Sequence, residues 1–249
     1  MIKYWLLTGD THGDTVRIED WAIRMHQICD QLDEFAVIIL GDAGFNYYLN
    51  ERDSRTKNRI ETLWGLTVYC VRGNHEQRPQ LIDDMMLVYD EYTQNYVYIE
   101  QEWPHIKYFE DGCDYIINGY RTLIIGGAYS VDKQYRLLRH WQWFPQEQLS
   151  KEEMDEFATM YQGQHFDLVL THTCPFSWQP IDLFLQKVDQ NTVDSSMEWW
   201  MDKFKDMISW DAWAFGHFHG DRIIHFDKRI RMFYEDMEDL DQFMKHARE

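Results

Sequence analysis

Apolar residues along this chain follow two rhythms. Short runs of four to six residues, Tyr4–Thr8, Phe35–Leu40, Thr67–Val71, Asp167–Thr171 and Ala212–Phe215, are rich in branched and aromatic side chains. Each stops at a glycine or a polar turn, which predicts buried strands. Between the first two, Ile18, Trp21, Met25, Ile28 and Leu32 recur at spacings of three and four, which predicts an amphipathic helix. Strand, helix, strand implies a parallel pair joined by a right-handed crossover. A second helix is expected over Ser54–Trp64. Shorter strands follow at Tyr96–Ile99, Tyr115–Asn118 and Arg121–Ile125, the last two joined by Asn118-Gly119, a hairpin turn signal. Two helical stretches, Glu147–Tyr161 and Asp194–Ser209, come next; Met197, Trp200, Phe204 and Met207 or Ile208 share one face of the second. The pattern closes on strands at Arg222–Phe226 and Ile230–Tyr234. No repeat, low-complexity tract or linker interrupts it, so the expectation is one domain over residues 1–249.

Composition narrows this picture. With 45% hydrophobic residues in 249, the chain can bury one sizeable core. No apolar stretch approaches the roughly 18 to 20 residues of a membrane helix. The opening run Met1–Leu7 is too short for a signal peptide and has no small-residue cleavage site after it. Cys29, Cys70, Cys113 and Cys174 are scattered with no CxxC pair, which reads as buried free thiols in a reducing cytoplasm. The formal charge of −19 disfavours nonspecific binding of nucleic acid, because a field of that sign repels a polyanion. The acidic run Glu235–Asp241 reads as a solvated C-terminal face.

Five short motifs sit where apolar runs give way to loops: Gly9-Asp10-Thr11-His12-Gly13, Gly41-Asp42, Gly73-Asn74-His75-Glu76, Thr171-His172 and Gly216-His217-Phe218-His219. In open α/β folds, ligand sites gather at the carboxyl ends of strands, so all five should meet at one sheet edge. Carboxylate, carboxamide and imidazole are the donors that suit borderline-hard divalent ions such as Mn, Fe, Zn and Co. Two such ions about 3.5 to 4 Å apart can clamp a phosphoryl group. The glycines before Asp10, Asp42, Asn74 and His217 are expected to turn the chain sharply, so that each ligand faces inward. The set points to a metalloenzyme that cleaves phosphoesters.

In order and spacing, these motifs resemble the calcineurin-like metallophosphoesterases from Asp10 to His219. The resemblance implies an α/β fold, a four-layer α/β/β/α sandwich with mixed sheets and a dimetal centre between them. By it, Asp10, His12 and His219 would hold one divalent ion, Asn74, His172 and His217 the other, and Asp42 both. A bridging oxygen would attack phosphorus in line, and His75 would serve the leaving group. Arg72 and Arg78 flank the same loop and are candidate substrate contacts, since a guanidinium can grip a phosphate. The segments Tyr129–Arg136 and Phe176–Pro180 are candidate substrate walls. The chain departs from the protein-phosphatase pattern Gly-Asp-x-x-Asp-Arg-Gly, with Phe45 and Asn46 where that pattern has Asp and Arg. The expectation is therefore a small phosphodiester or phosphomonoester substrate, a nucleotide among the candidates, with the diester favoured. A nuclease, a protein Ser/Thr phosphatase and a non-catalytic phosphoester-binding scaffold are the alternatives.

Overall fold

A computed structural model describes all 249 residues. Thirteen strands and six helices follow in the order β1 (Tyr4–Thr8), α1 (Val16–His26), β2 (Phe35–Ile39), α2 (Glu51–Glu61), β3 (Thr67–Cys70), β4 (Met85–Asp90), β5 (Asn95–Glu100), β6 (Ile106–Tyr108), β7 (Asp114–Ile117), β8 (Tyr120–Ile125), α3 (Lys133–Arg139), α4 (Lys151–Tyr161), β9 (His165–Thr171), α5 (Ser196–Met207), β10 (Ser209–Phe215), β11 (Arg222–Ile223), β12 (Ile230–Met232), β13 (Met237–Asp239) and α6 (Leu240–Arg248).

The strands form two mixed sheets, ordered β13-β1-β2-β3-β6-β5-β4 and β11-β12-β10-β9-β8-β7. Within the first, β1, β2, β3 and β6 run parallel; within the second, β8, β9, β10 and β12 do. Parallel strands are normally covered on both faces, and β2 and β3 are buried at every residue. Three apolar clusters explain why. One, containing Leu7, Ile38, Tyr69, Ile124, Leu170 and Ala214, lies between the sheets. A second packs Ile18, Ala22 and Ile60 of α1 and α2 on the outer face of the first sheet. A third packs Met154, Phe157, Met201 and Phe204 of α4 and α5 on the outer face of the second. The layers are thus α/β/β/α, as expected.

Element ends moved for local reasons. The first helix stops at His26, so Ile28 is left exposed while Leu32 reaches the core from the following turn. The second begins earlier than expected, because Asn50 caps it by accepting the Arg52 amide. The expected start at Glu147 gives way to Ser150, which with Glu153 forms a capping box. Ser209 belongs to β10 and not to the helix before it. Asn118 and Gly119 both take positive φ, as a tight hairpin requires. Of the expected strand Arg222–Phe226 only Arg222–Ile223 pairs, and Phe226 is fully exposed.

The acidic tail departs most from expectation. Met237–Asp239 pairs antiparallel with β1, and Arg231 holds Asp236 and Glu238 in ion pairs. Asp239 then caps α6 by accepting the Gln242 amide. The apolar face of α6, Leu240, Phe243, Met244 and Ala247, fills the end of the inter-sheet core. All four cysteines are free; Cys70 and Cys174 are buried, whereas Cys29 and Cys113 are only half-buried. No helix is long and apolar enough to cross a membrane.

Two stability measurements check this packing. Phe243 is 1% exposed, so Phe243→Ala should cost about 3 to 5 kcal/mol in urea unfolding, the usual loss for a buried ring. Asp53 on α2 accepts the Leu49 amide through Oδ2, while Oδ1 is buried without a partner. Burial pushes its carboxyl up to about 6. An unfolded aspartate titrates near 3.9, so between about pH 4 and 6 the folded chain keeps a proton that the unfolded chain has lost. Stability should therefore fall as pH rises through that window. Asp53→Asn should flatten the fall and raise the urea midpoint at pH 7.

Candidate metal centre

The carboxyl ends of five parallel strands converge between the sheets. The β1 loop delivers Asp10 and His12, the β2 loop Asp42, the β3 loop Asn74 and His75, the β9 loop His172, and the β10 loop His217 and His219. Donor atoms from different loops come within a few ångströms of one another. His12 Nε2 and His219 Nε2 lie 2.9 Å apart, and each faces Asp10 Oδ2, at 3.8 and 3.4 Å. His172 Nε2 lies 2.9 Å from Asn74 Oδ1 and 3.6 Å from Asp42 Oδ2. His12 Nδ1 is 3.8 Å from Asp42 Oδ2. The His217 ring packs edge-on against that of His172, centroids 4.9 Å apart.

Backbone contacts aim the two carboxylates. Asp10 Oδ1 accepts the His217 amide at 2.9 Å, and Asp42 Oδ1 accepts the His75 amide at 2.8 Å. Each Oδ2 is thereby turned into the cluster. His172 donates from Nδ1 to the Leu40 carbonyl at 2.8 Å, which leaves the Nε2 lone pair for a ligand. Glu76 joins two loops, since its carboxylate accepts the amides of Gly44 and Gly73, both at 3.0 Å.

The turning of the chain is not done where the sequence suggested. Of the four glycines before the ligands, only Gly41 has positive φ. The ligands themselves carry the strained geometry: His12, Asp42, His217 and His219 all lie in the left-handed region. The glycine at 73 serves close approach instead, because a Cβ there would fall 1.9 Å from Asp42 Oδ1.

Electrostatics fit a cationic occupant. Asp10 Oδ2 is buried with no hydrogen-bond partner, an orphaned anionic atom that a cation would satisfy. Ligand atoms about 2 Å from a common ion stand roughly 3 Å apart, close to the spacings seen here. Burial alone would raise the carboxyls of Asp10 and Asp42, but the surrounding imidazoles, His172 among them, outweigh it and hold both low. Burial would likewise lower His172, yet Asp42 and Asp10 lift it to about 9. For His217, burial and the neighbouring His172 win, pushing it down to about 3.

His75 stands beside this cluster, its Nε2 4.0 Å from Asp42 Oδ2. Burial lowers its pKa against the pull of Asp42, with Arg136 lowering it further. Phe45, at the position of the protein-phosphatase aspartate, is fully buried in the core, and Asn46 is buried as well.

Neither arginine singled out from sequence points at the cluster. Arg72 pairs with Asp111 and donates to the carbonyls of Gly126 and Glu147. Arg78 pairs with Glu153 and donates to Gln146 and Gln148. Their donors join β3 and its loop to the segments around β8 and α4. The guanidinium that does reach the site is Arg136, 3.3 Å from His75 Nε2. It lies in the expected wall segment Tyr129–Arg136, of which Lys133–Arg136 forms the start of α3; Trp141 lies just past the end of that helix. The other expected wall packs elsewhere: Phe176 stacks on Trp199, and Trp178 is buried against Trp210 and Trp213. An open cavity of about 750 Å³ runs from His12, Asp42 and His75 past Arg136 to Trp141.

A model of the calcineurin-like phosphoesterases matches residues 5–221, and the chain belongs to that family. Comparison with curated proteins gives no match.

Two outcomes test the site. Glu76→Ala leaves two buried loop amides unpaired, and manganese affinity measured by calorimetry should drop roughly 10- to 100-fold, as for other supports of a metal ligand. Because His172 sits near 9, metal loading at pH 7 should release protons. Titrations in buffers of different ionisation enthalpy should give different apparent heats.

Proposed function

We propose that this phosphoesterase hydrolyses a small phosphodiester, and that the cluster of Asp10, His12, Asp42, Asn74, His172, His217 and His219 holds two divalent ions for that purpose. The observation that carries the reading is the unpartnered Asp10 Oδ2 beside Asp42 Oδ2, two buried carboxylate oxygens aimed into a ring of imidazoles. When bound, such ions neutralise phosphoryl oxygens and make water acidic enough to ionise near neutral pH.

The protein's own groups do the rest. Asp42 is fixed by the His75 amide, which ties the carboxylate to the stretch of backbone that carries the imidazole. The His75 Nε2 faces the cavity side of the cluster, where it can hydrogen-bond an ester oxygen as the bond to phosphorus breaks. Burial, with Arg136 adding to it, lowers the pKa of that imidazole, which makes its protonated form a stronger acid toward the leaving oxygen.

Charge favours a diester over a monoester. The Asp42 loop supplies no arginine, and the charge of Arg136 is shared with Asp132 at 2.7 Å. A monoanionic diester asks less of such a site than a dianionic monoester. The overall charge of −19 weighs against long nucleic acid as substrate.

Manganese-loaded protein should cleave bis-p-nitrophenyl phosphate faster than p-nitrophenyl phosphate. Asp42→Asn should abolish that cleavage. His75→Ala should lower kcat by roughly 100-fold or more, the usual share of a proton-transfer group. Metal-independent cleavage, or cleavage that survives Asp42→Asn, would sink the reading.

A further inference from the structure

The cavity beyond His75 is built from two places in the chain. The turn before α2 contributes Tyr47 and Tyr48, and α2 contributes Arg52; α3 contributes Arg136 and the residues just past its end contribute Trp141. Local geometry puts Trp141 there. His140 ends α3 in the left-handed conformation, φ 53°, and the Trp141 amide then folds back onto the Arg136 carbonyl at 2.9 Å. The indole is left 54% exposed at the cavity rim, its edge against Tyr135. Tyr48 is 44% exposed, with the Arg52 guanidinium 4.8 Å from its ring centre.

Arg136 is held from three sides. Its Nε donates to Asp132 Oδ1 at 2.7 Å and its Nη1 to the Tyr47 hydroxyl at 2.6 Å, with the Gln142 carbonyl at 3.4 Å. Its Nη2 meets only His75 Nε2, at 3.3 Å. A guanidinium has two hydrogens on each terminal nitrogen, so one Nη2 hydrogen lacks a protein acceptor. A side chain 12% exposed, locked by three partners and with a donor to spare beside the candidate catalytic imidazole, is preorganised for an anionic oxygen. In a chain of net charge −19, the cavity sets Arg52 and Arg136 against Asp42 and Asp53, so its wall is not dominated by acidic groups.

Resting on the reading of the centre as a phosphodiesterase, we propose that this cavity is the leaving-group subsite. Arg136 holds the ester phosphate beside His75, and Trp141 with Tyr48 receives a planar aromatic ring carried on the leaving alcohol. The substrate class is a small phosphodiester with an aromatic or heteroaromatic alcohol moiety. Size agrees, since 750 Å³ lies within the range of roughly 300 to 1,000 Å³ that small-ligand sites span. Ring stacking also supplies affinity that a short polar alcohol lacks.

The test is calorimetric binding to manganese-loaded protein of two hydrolysis-resistant phosphonates. One is the monomethyl ester of the 5′-phosphonate analogue of adenosine monophosphate, a monoanionic diester mimic, and the other its ribose counterpart without the base. The ring-bearing compound should bind about tenfold more tightly, in line with stacking of one base. Trp141→Ala should erase that preference and leave the ring-free compound unchanged; Trp141→Phe should keep most of it. Arg136→Gln should weaken both compounds at least tenfold, with an unchanged melting temperature to show that the fold survives. Equal binding of the two compounds by wild type, or a preference that survives Trp141→Ala, overturns the ring subsite. Unchanged binding by Arg136→Gln overturns the role of that arginine. If bis-p-nitrophenyl phosphate is still cleaved in those cases, only the subsite fails. If it is not cleaved and neither phosphonate binds, the functional reading fails with it.

Discussion

Two carboxylates held together out of water, Asp10 and Asp42, are the constraint around which the molecule is arranged. A buried carboxylate must be hydrogen-bonded, paired or neutralised. Here each spends one oxygen on a backbone amide from another strand's loop, His217 for Asp10 and His75 for Asp42. The first of those bonds ties one sheet to the other, and the second ties neighbouring loops of the same sheet. What remains is a pair of Oδ2 atoms facing imidazoles that compensate only part of their charge. Strand order, sheet pairing and the inter-sheet core all serve to bring these loops to one place.

That convergence is crowded, and the crowding explains the unusual backbone. Four of the proposed ligands lie in left-handed conformations, each of which costs on the order of 1 kcal/mol for a non-glycine residue. Such strain persists only where surroundings over-determine it. Glu76 bridging Gly44 and Gly73, His172 on the Leu40 carbonyl, and the absence of a Cβ at Gly41 and Gly73 are those surroundings. If the cluster holds ions as proposed, their affinity would depend on groups that never touch an ion.

The chain also relocates its cations. Where the protein-phosphatase pattern puts an arginine on the Asp42 loop, this chain has Asn46, turned into the protein. Arg72 and Arg78, adjacent to the Asn74 loop, are consumed in fastening β3 to the segments around β8 and α4. The guanidinium beside His75 comes from a helix 61 residues further along the chain. A site of this family can thus keep its metal-binding frame while its surroundings are rebuilt from another part of the chain, which is how one fold serves many substrates.

Much was legible in the sequence because period and punctuation are local. Buried parallel strands read as short apolar runs, and each of the five that were anticipated forms; the histidine and acid motifs that follow them could be grouped at one edge by the carboxyl-end rule alone. The α/β/β/α layering was legible only through the resemblance to the calcineurin-like phosphoesterases that the five motifs carry. What was hidden depends on partners far away in sequence. Glu235–Asp241 looks like a solvated acidic face, yet it pairs with β1 and launches α6, because Arg231 offsets its charge and the inter-sheet core has room for Phe243. Arg72 and Arg78 look like phosphate contacts until the carbonyls that claim them are brought alongside. Arg136 and Trp141 carry no motif, and only the tertiary fold sets Arg136 beside His75 and Trp141 at the rim of the same cavity. Sequence determined the donors and the strands that deliver them, since both are written in adjacent residues. Tertiary structure decided which cations are free to act, because that depends on which acceptors the fold places within reach.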